Sequence, residues 1–435
     1  MRRERIDADQ AFFAERLSGR AGGRRRSLAR ARALAPHLGI DLAAWRSRAD
    51  SVVTVVGSKG KGTAATFASA TLAAAGLRIG TLTSPGLRSN RERIRVDGRA
   101  ISPPEYAALV AAVSATVARV GADLPDDGYL SPSGLFTLSA LRHFGDAGCD
   151  AVVLEAGMGG ASDEVSLVAA GVAAISVIFG EHIGILGDSV AAIAAEKVGI
   201  VAAETRMVVA LPQDDPAAEG AIADAVRARG CAHRLVGPAA PPVRAAVSAP
   251  GLGASSARLG VAAGLALLQL RDRPPPGGAA LTAALQSVRL PGRLSRHHRP
   301  GQDWVVDCAT NPAAIAAALD HATLSMGPPS SILTFIPSRR DAAPLLEALE
   351  GRPVVRVRGG PPTGVPGGGA AMHLEEVDLE GLGPRVLAVG PVYFAGELLA
   401  LLEVDCERSF MPAPRRLAIA RSPGRPGSRS GGPGS

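Results

Sequence analysis

The stretch VVTVVGSKGKGT, from Val52 to Thr63, sets a run of β-branched residues directly before a glycine-rich turn that carries lysines and a hydroxyl. Strand, glycine loop and helix N-terminus in that order are the backbone's usual cradle for phosphate. Glycines allow close approach, N–H groups point at the anion, and a lysine adds charge. The spacing is not that of G-x-x-x-x-G-K-[ST], because Val55 stands at the first glycine position and Gly62 intervenes between Lys61 and Thr63. Other polar groups follow later apolar runs: Thr83, Ser84 and Pro85 after LRIGTL, Glu155 at the end of CDAVVLE, and His182 after VAAISVIFG. Gathered on one edge, a phosphate loop, a hydroxyl, a carboxylate and an imidazole can share a Mg²⁺ ion and a nucleotide γ-phosphate. Glu155, placed between AVVL and several glycines, reads as a metal or nucleotide ligand rather than a solvated acid. His182 alone reads as structural and becomes a ligand only in company with Glu155 and Lys61. Lys197 sits in an alanine-rich helical stretch, where a lysine is ordinarily a solvated face. His297 and His298 match no motif and are expected at the surface.

The elements that must position these groups alternate along the chain. Buried strands are expected in VVTVV, LRIGTLTSPG, CDAVVLEAGMGG, VAAISVIFGEH and TRMVVALPQ, with helical patterns in PPEYAALVAAVSATVARVG, SGLFTLSALRHFGDAG and DSVAAIAAEKVGI between them. Such alternation implies a parallel sheet covered by helices, with ligands at the carboxyl ends of its strands. The period is lost in a Pro/Ala/Gly-rich stretch from Val236. A helix, ARLGVAAGLALLQLRD, follows, and after RLPGRLSRHHRPGQ a second series of strands and helices begins, with GGPPTGVPGGG as a loop inside it. The fold expected is α/β: an N-terminal parallel-sheet ATPase domain with a P-loop, plus a smaller Rossmann-like C-terminal domain. The divisions are a helical lead-in over 1–50, a central domain over 51–290, a C-terminal domain over 291–410 and a disordered basic tail over 411–435.

Composition bounds the class. With 435 residues, 47% of them hydrophobic, the chain can bury two or three cores, and at 3% aromatic those cores must be built from Ala, Val, Leu and Ile. Four cysteines lie far apart with no C-x-x-C pair, which speaks against a zinc site or a disulfide framework and for a reducing cytoplasm. No stretch approaches 18 uninterrupted apolar residues, and the N-terminus has no signal-peptide core, so neither membrane nor export is expected. The net charge of +7 is concentrated in GRRRSLARARALAPHLG and the final RSPGRPGSRSGGPGS. An arginine-rich amphipathic helix and a solvated tail account for it, and no aromatics are interleaved as in a nucleic-acid surface.

Six ordered motifs, spanning about Arg25 to Glu397, resemble the Mur-type amide ligases and within them the folylpolyglutamate and dihydrofolate synthases. GSKGKGT resembles G-T-N-G-K-G-S, and TSPGLRSNRERIRVDGRAIS resembles T-S-P-H-L followed by E-R-I and V-x-G-x-x-I-S. VLEAGMGG resembles V-L-E-V-G-L-G-G. FGEHIGILGDSVAAIAAEKVGI resembles G-L-D-H-x-x-x-L-G-x-T-x-x-x-I-A-x-E-K-A-G-I. LPGRL with VVDCATNPAA resembles P-G-R and D-G-A-H-N-P, and VGPVYFAGE resembles T-G-S-L-Y-L-V-G-E. The resemblance implies that Gly57, Ser58, Lys59, Gly60, Lys61, Gly62 and Thr63 hold the phosphates of ATP. It implies Mg²⁺ ligation by Thr63, Ser84, Glu155 and His182, with Lys197 as a carbamate supporting a second Mg²⁺. Arg293 and Asp307 would reach the nucleotide from the second domain. Lys61, His182 and Lys197 would be the catalytic groups.

The chemistry so implied is ATP-dependent amide formation. A substrate carboxylate attacks the γ-phosphate, and an amine, glutamate in this family, displaces phosphate from the acyl phosphate. The stabilisation should come from Lys61, Mg²⁺ and loop N–H groups aimed at the transferring phosphoryl. The partners expected are thus a small-molecule carboxylate and an amino acid acting on a monomer. The departures fall elsewhere. Lys59 replaces the loop asparagine, Gly86 the histidine of T-S-P-H, Glu181 the aspartate before the metal histidine and Thr310 the histidine of D-G-A-H-N-P. In YLSPSGLFTLSAL, where the family has L-T-x-F-E-x-x-T, Ser133 and Gly134 take the aromatic and acidic positions. In GGASDEVS, Ala161 takes that of an arginine, and Asp163 remains. Three readings follow: a folate-type ligase, a paralogue with the same chemistry on another carboxylate and amine, and a nucleotide-binding protein without ligase activity. The departures predict weak handling of folates.

Overall fold

The computed structural model describes residues 12–17, 25–237, 252–335, 343–358 and 372–412. The expected tail beyond residue 412, the glycine-rich loop at 359–371 and most of the stretch after Val236 lie outside the described residues.

Two sheets organise the chain. The first has eight strands in the order β4-β3-β2-β5-β1-β6-β7-β8. Its centre consists of β1 (Val52–Val56), β5 (Ala151–Glu155) and β6 (Val172–Ile175), every residue of which is buried. Strands covered on both faces read as continuous apolar runs rather than alternating ones, which is why these were legible. β2 (Ile79–Leu82), β7 (Met207–Ala210) and β8 (Ala232–Leu235) extend the sheet in parallel. β3 (Ile94–Val96) and β4 (Arg99–Ala100) close one edge as an antiparallel hairpin that the sequence reading did not anticipate. Its turn, Asp97-Gly98, has φ of +50° and +77°, the left-handed pair of a type I′ turn.

The scarcity of aromatics is answered by close helix packing. The helix Lys61–Ala74 lies against Leu252–Leu270, where a Cβ on Gly264 would stand 2.9 Å from Thr71 Cβ. The lead-in helix Leu28–His37 packs an apolar face into the first core with Arg32 exposed, as an amphipathic helix requires, but its other arginine departs from that pattern. Arg30 is buried. Its guanidinium donates to the carbonyls of Gly121, Leu124 and Pro125 at 3.2, 3.3 and 2.7 Å and pairs with Glu15 at 2.6 Å.

The second sheet has the order β13-β12-β11-β14-β10-β9. β10 (Gln302–Asp307), β14 (Arg385–Val389), β11 (Ser331–Phe335), β12 (Val354–Arg358) and β13 (Met372–His373) are parallel, and β9 (Ser295–Arg299) runs antiparallel to β10. The chain then returns to the first sheet. Ala100 N–H donates to Glu407 O, Ser409 N–H to Gly98 O and Arg289 N–H to Ser409 O, each at 2.8 Å, and Phe410 is buried in the first unit's core. Residues expected to end the second unit thus strap the two together.

Candidate active site

β1 delivers the loop 57–60 at the carboxyl edge of the first sheet. Gly57 has φ +133°, and a Cβ there would collide with the Ser176 hydroxyl, so the loop passes where no other residue fits. The end of β6 pins it: Ser176 Oγ donates to Lys59 O at 2.7 Å, and Ser58 N–H donates to Val177 O at 2.8 Å. Gly60, at φ +80°, precedes the helix Lys61–Ala74 and offers no side-chain cap, which leaves the first-turn N–H groups facing outward. Lys61 Nζ folds back to Gly57 O at 2.9 Å. The helix dipole and the lysine thereby bear on the same point.

Glu155, at the end of β5, is buried beside this turn. One carboxylate oxygen accepts from Ser84 N–H at 2.7 Å, and a Cβ on Gly62 would lie 3.3 Å from the same oxygen, so glycine lets the helix start this close without crowding the carboxylate. Burial pushes the Glu155 carboxyl above its usual range, against the pull of Lys61, the Ser84 N–H, Arg293 and Arg93. A bound cation would relieve that cost of desolvation. Ser84 is in turn held by Arg93, whose Nη1 donates to Ser84 Oγ at 2.9 Å while its guanidinium lies 4.6 Å from the centre of the Phe136 ring. Arg93 is a site residue to which the sequence reading gave no role, although it is the arginine of its ERI motif.

His182 is placed otherwise than expected, while Lys197 is placed with the site. His182 does not end a strand. β6 stops at Ile175, and His182 lies seven residues on, with φ +51° and its side chain 43% exposed, Nε2 4.0 Å from Glu181. Lys197 is no solvated face but fully buried beneath the loop. Its ammonium donates to Gly57 O at 3.1 Å, Met158 O at 2.8 Å and Glu181 Oε1 at 3.0 Å, which uses all three protons. Burial lowers its pKa and Glu181 opposes the shift.

From the second sheet come Arg293 and Asp307. Asp307 accepts from Leu294 N–H at 2.7 Å, and burial raises its pKa against that bond and Arg293. His297, expected at the surface, is half-buried, with Nε2 2.7 Å from Ser295 Oγ, whereas His298 is exposed as expected. A cleft of about 1350 Å³ runs between the sheets. It brings together Ser58, Lys59, Gly60, Lys61, Gly62, Thr63, Ser84, Glu155, His182, Arg293 and Asp307, with Gly57 and Lys197 just behind its wall.

Beside Gly157, whose N–H donates to Asp163 Oδ2 at 3.0 Å, lies a cluster of which the motifs named only Asp163. Arg26 Nη1 donates to Asp163 Oδ2 at 3.0 Å and lies 3.5 Å from Glu164, and its Nη2 donates to Ser162 Oγ at 3.3 Å. Glu164 accepts from Ser131 Oγ at 2.6 Å. Burial, with Asp163 adding to it, raises its pKa to about 7. A carboxyl so raised favours the folded state while protonated, a contribution complete at acid pH and lost as pH climbs through about 7. Unfolding free energy should therefore decline across pH 5–8 in the wild type and run flatter in Glu164→Gln, as urea titrations at each pH would read. Equal slopes would remove Glu164 as the source.

Among the described residues, no three His, Cys, Asp or Glu side chains cluster as a metal-binding group. A Mg²⁺ carried by phosphates needs only one or two carboxylates besides water, and the buried Glu155 with Ser84 fits that demand. No helix among the described residues is long and apolar enough to cross a membrane.

No family model matches the chain. A probable bifunctional folylpolyglutamate synthase/dihydropteroate synthase of Haloferax volcanii is 39% identical over 158 residues, 36% of this chain and 18% of that protein. A dihydrofolate synthase/folylpolyglutamate synthase of Mycobacterium tuberculosis is 35% identical over 167 residues, 37% of this chain and 34% of that one. The Escherichia coli protein of the same name is 33% identical over 179 residues, 41% and 40%. These matches span well under half of the relatives' own length. The structural likeness is longer. Apo L. casei FPGS superposes with a TM-score of 0.73 at 21% identity, covering 87% of this chain and 95% of that one. Mycobacterium tuberculosis folylpolyglutamate synthase complexed with ADP and AMPPCP gives 0.70 at 24%, covering 88% and 96%. Both show the α/β, two-sheet fold expected from sequence. Along most of its length the chain shares the fold of the folylpolyglutamate synthases, and over about two-fifths of it the sequence is similar to folylpolyglutamate and dihydrofolate synthases.

Proposed function

We propose that the chain is an ATP- and Mg²⁺-dependent carboxylate–amine ligase working through an acyl phosphate, with a folate or pteroate carboxylate and glutamate as substrates. One observation carries this reading: the cleft between the sheets gathers an anion-seeking loop with Lys61, the buried Glu155–Ser84 pair, and Arg293 and Asp307 from the opposite sheet. Groups on both walls let nucleotide and acceptor be enclosed together, which excludes water from an acyl phosphate, a mixed anhydride that would otherwise hydrolyse. Lys61 and the first-turn N–H groups bear on the transferring phosphoryl. Glu155, Ser84, Thr63 and His182 would hold Mg²⁺, which supplies charge neutralisation of the phosphates when bound. The family's nucleotide-bound and folate-bound members support the reading, among them an FPGS-AMPPCP-folate complex of the same fold. We place the enzyme in the cytoplasm.

Lys197 is given a conditional state. A carbamate on it would set an anion against the Gly57 and Met158 carbonyls and Glu181, all acceptors in the arrangement described. It is therefore expected only with Mg²⁺ and nucleotide present. ¹³C-bicarbonate NMR should show a carbamate resonance under those conditions, absent without Mg²⁺ and absent in Lys197→Ala. A resonance indifferent to Mg²⁺ would contradict this.

The second reading is a non-folate acceptor. Against it, Glu164 sets a carboxyl in the space over Gly134 and Arg26 lines the cleft, while the departures at Ser133 and Ala161 favour it. Phosphate release measured with ATP, Mg²⁺ and glutamate should reach roughly 1 s⁻¹ or more with dihydropteroate or tetrahydrofolate. Turnover confined to other carboxylates in the same panel would move the assignment to the paralogue reading.

A further inference from the structure

Glu164 is fully buried, and no step of the ligase chemistry uses it. Its carboxyl occupies the space over Gly134, where a Cβ would collide with the carboxyl carbon and lie 2.6 Å from Glu164 Cγ. That carboxyl touches two chains of contact that end in the cleft. Through Ser131 Oγ, at 2.6 Å, it reaches Ser133 Oγ, 3.0 Å further on, and directly it faces Arg26 at 3.5 Å. Ser133 and Arg26 both line the cleft, as does Tyr129. Asp163, at 3.0 Å from Arg26, supplies the second carboxylate of the pair, and Glu196 is the other charged group that bears on Arg26. Ser131 is at the same time the N-cap that accepts from Gly134 N–H at 2.9 Å, so the helix Pro132–Asp146 starts on the same group.

We propose that Glu164 is a positioning residue for binding of the acceptor substrate in the cleft, its carboxyl, admitted by the glycine at 134, holding Arg26 toward the substrate's carbonyl or acidic oxygens and the acceptor hydroxyl of Ser133 toward one of its donor groups. The proposal rests on the ligase reading for its substrate, and it concerns specificity rather than phosphoryl transfer. Ser131 gives its only proton to Glu164, so Ser133 donates to Ser131 and faces the cleft as an acceptor; that hydroxyl and the Arg26 guanidinium, both oriented by one buried carboxyl, should bind an acceptor substrate without altering the chemistry at Lys61. A carboxyl at 134 itself would fill the same volume from the opposite side. Glu164 and Gly134 are therefore interchangeable in function, provided both are exchanged.

The test uses the full chain as Glu164→Ala, Glu164→Gln, Gly134→Glu and the double Gly134→Glu/Glu164→Ala. With dihydropteroate as probe, Glu164→Ala is expected to raise KM at least tenfold, with kcat within threefold and AMPPCP affinity within twofold of wild type. Glu164→Gln, which keeps the Ser131 bond and loses the charge, should fall between. Gly134→Glu alone should lower the melting temperature, and the double variant should return KM to within threefold of wild type. Arg26, read by peptide mass after phenylglyoxal treatment, should react at least threefold faster in Glu164→Ala and at the wild-type rate in the double. A double variant no better than Glu164→Ala, or a KM unmoved by Glu164→Ala, overturns the proposal. Should wild type bind AMPPCP yet turn over no dihydropteroate, the substrate reading fails instead. The phenylglyoxal series then decides, unchanged Arg26 reactivity in Glu164→Ala being the overturning result.

Discussion

Lys61→Ala is expected to lower ATP turnover at least a thousandfold. Its ammonium is held 2.9 Å from Gly57 O, at the foot of a helix whose first-turn N–H groups carry no side-chain cap, so it is fixed where phosphate charge would collect. In a closed cleft that charge is poorly screened, and losing a preorganised cation costs several kcal/mol. At about 1.4 kcal/mol per factor of ten, three decades follow. Glu155 adds to the loss. Its burial already disfavours ionisation, and Lys61 is the largest of the groups offsetting that burial. Removing Lys61 thus weakens the acid that would carry Mg²⁺ as well. Single-turnover ADP formation, with the substrate that gives the highest release, is the measurement. Turnover within tenfold of wild type would remove Lys61 from the phosphoryl site.

The parts of this site that could be read from sequence are those built by neighbours in the chain. The loop 57–63 and Glu155 each follow a strand buried on both faces, and an apolar run ending in a charged or glycine-rich turn is a local signal. His182 was misplaced by the same rule, because β6 stops at Ile175 and the left-handed residue seven positions later leaves no periodic trace. The cluster around Arg26 was illegible for another reason. Arg26 meets Asp163 and Glu164 across 137 and 138 residues, and composition shows only an arginine-rich segment that looks solvated. Lys197 illustrates the same limit, since an alanine-rich helix is silent about which face is buried until Glu181 and the Gly57 carbonyl are seen against it. The departures at Ser133, Gly134 and Ala161 read in sequence as losses. In space the carboxyl absent at Gly134 has a counterpart in Glu164, which lies directly over it.

The largest effect expected away from the nucleotide is that of Gly396→Ala. Gly396 lies inside the helix Val392–Leu401 of the second unit, and a Cβ there would collide with the Leu87 carbonyl oxygen and lie 2.9 Å from its carbon. The obstacle is backbone, and it cannot swing aside. Glu92 accepts from the N–H groups of Leu87, Arg88 and Ser89 at 3.0, 3.1 and 3.1 Å, and so fixes the loop from below. Two effects oppose each other. Alanine within a helix gains about 1 kcal/mol over glycine, whereas overpacking against a fixed neighbour costs about 1–3 kcal/mol. With a backbone contact this close the cost should sit at the upper end and win. Its consequence reaches the site because the displaced loop begins at Ser84, whose N–H is bonded to Glu155 and whose hydroxyl is held by Arg93. Gly396→Ala should therefore lower the melting temperature by several degrees and kcat/KM at least tenfold, although the residue touches neither nucleotide nor acceptor. Gly145→Ala is the control, an exposed helical glycine whose added Cβ meets nothing within 4 Å, and it should be neutral or stabilising. If Gly396→Ala behaves like that control in both melting temperature and kcat/KM, the loop carrying Ser84 is not coupled to the second unit through Leu87.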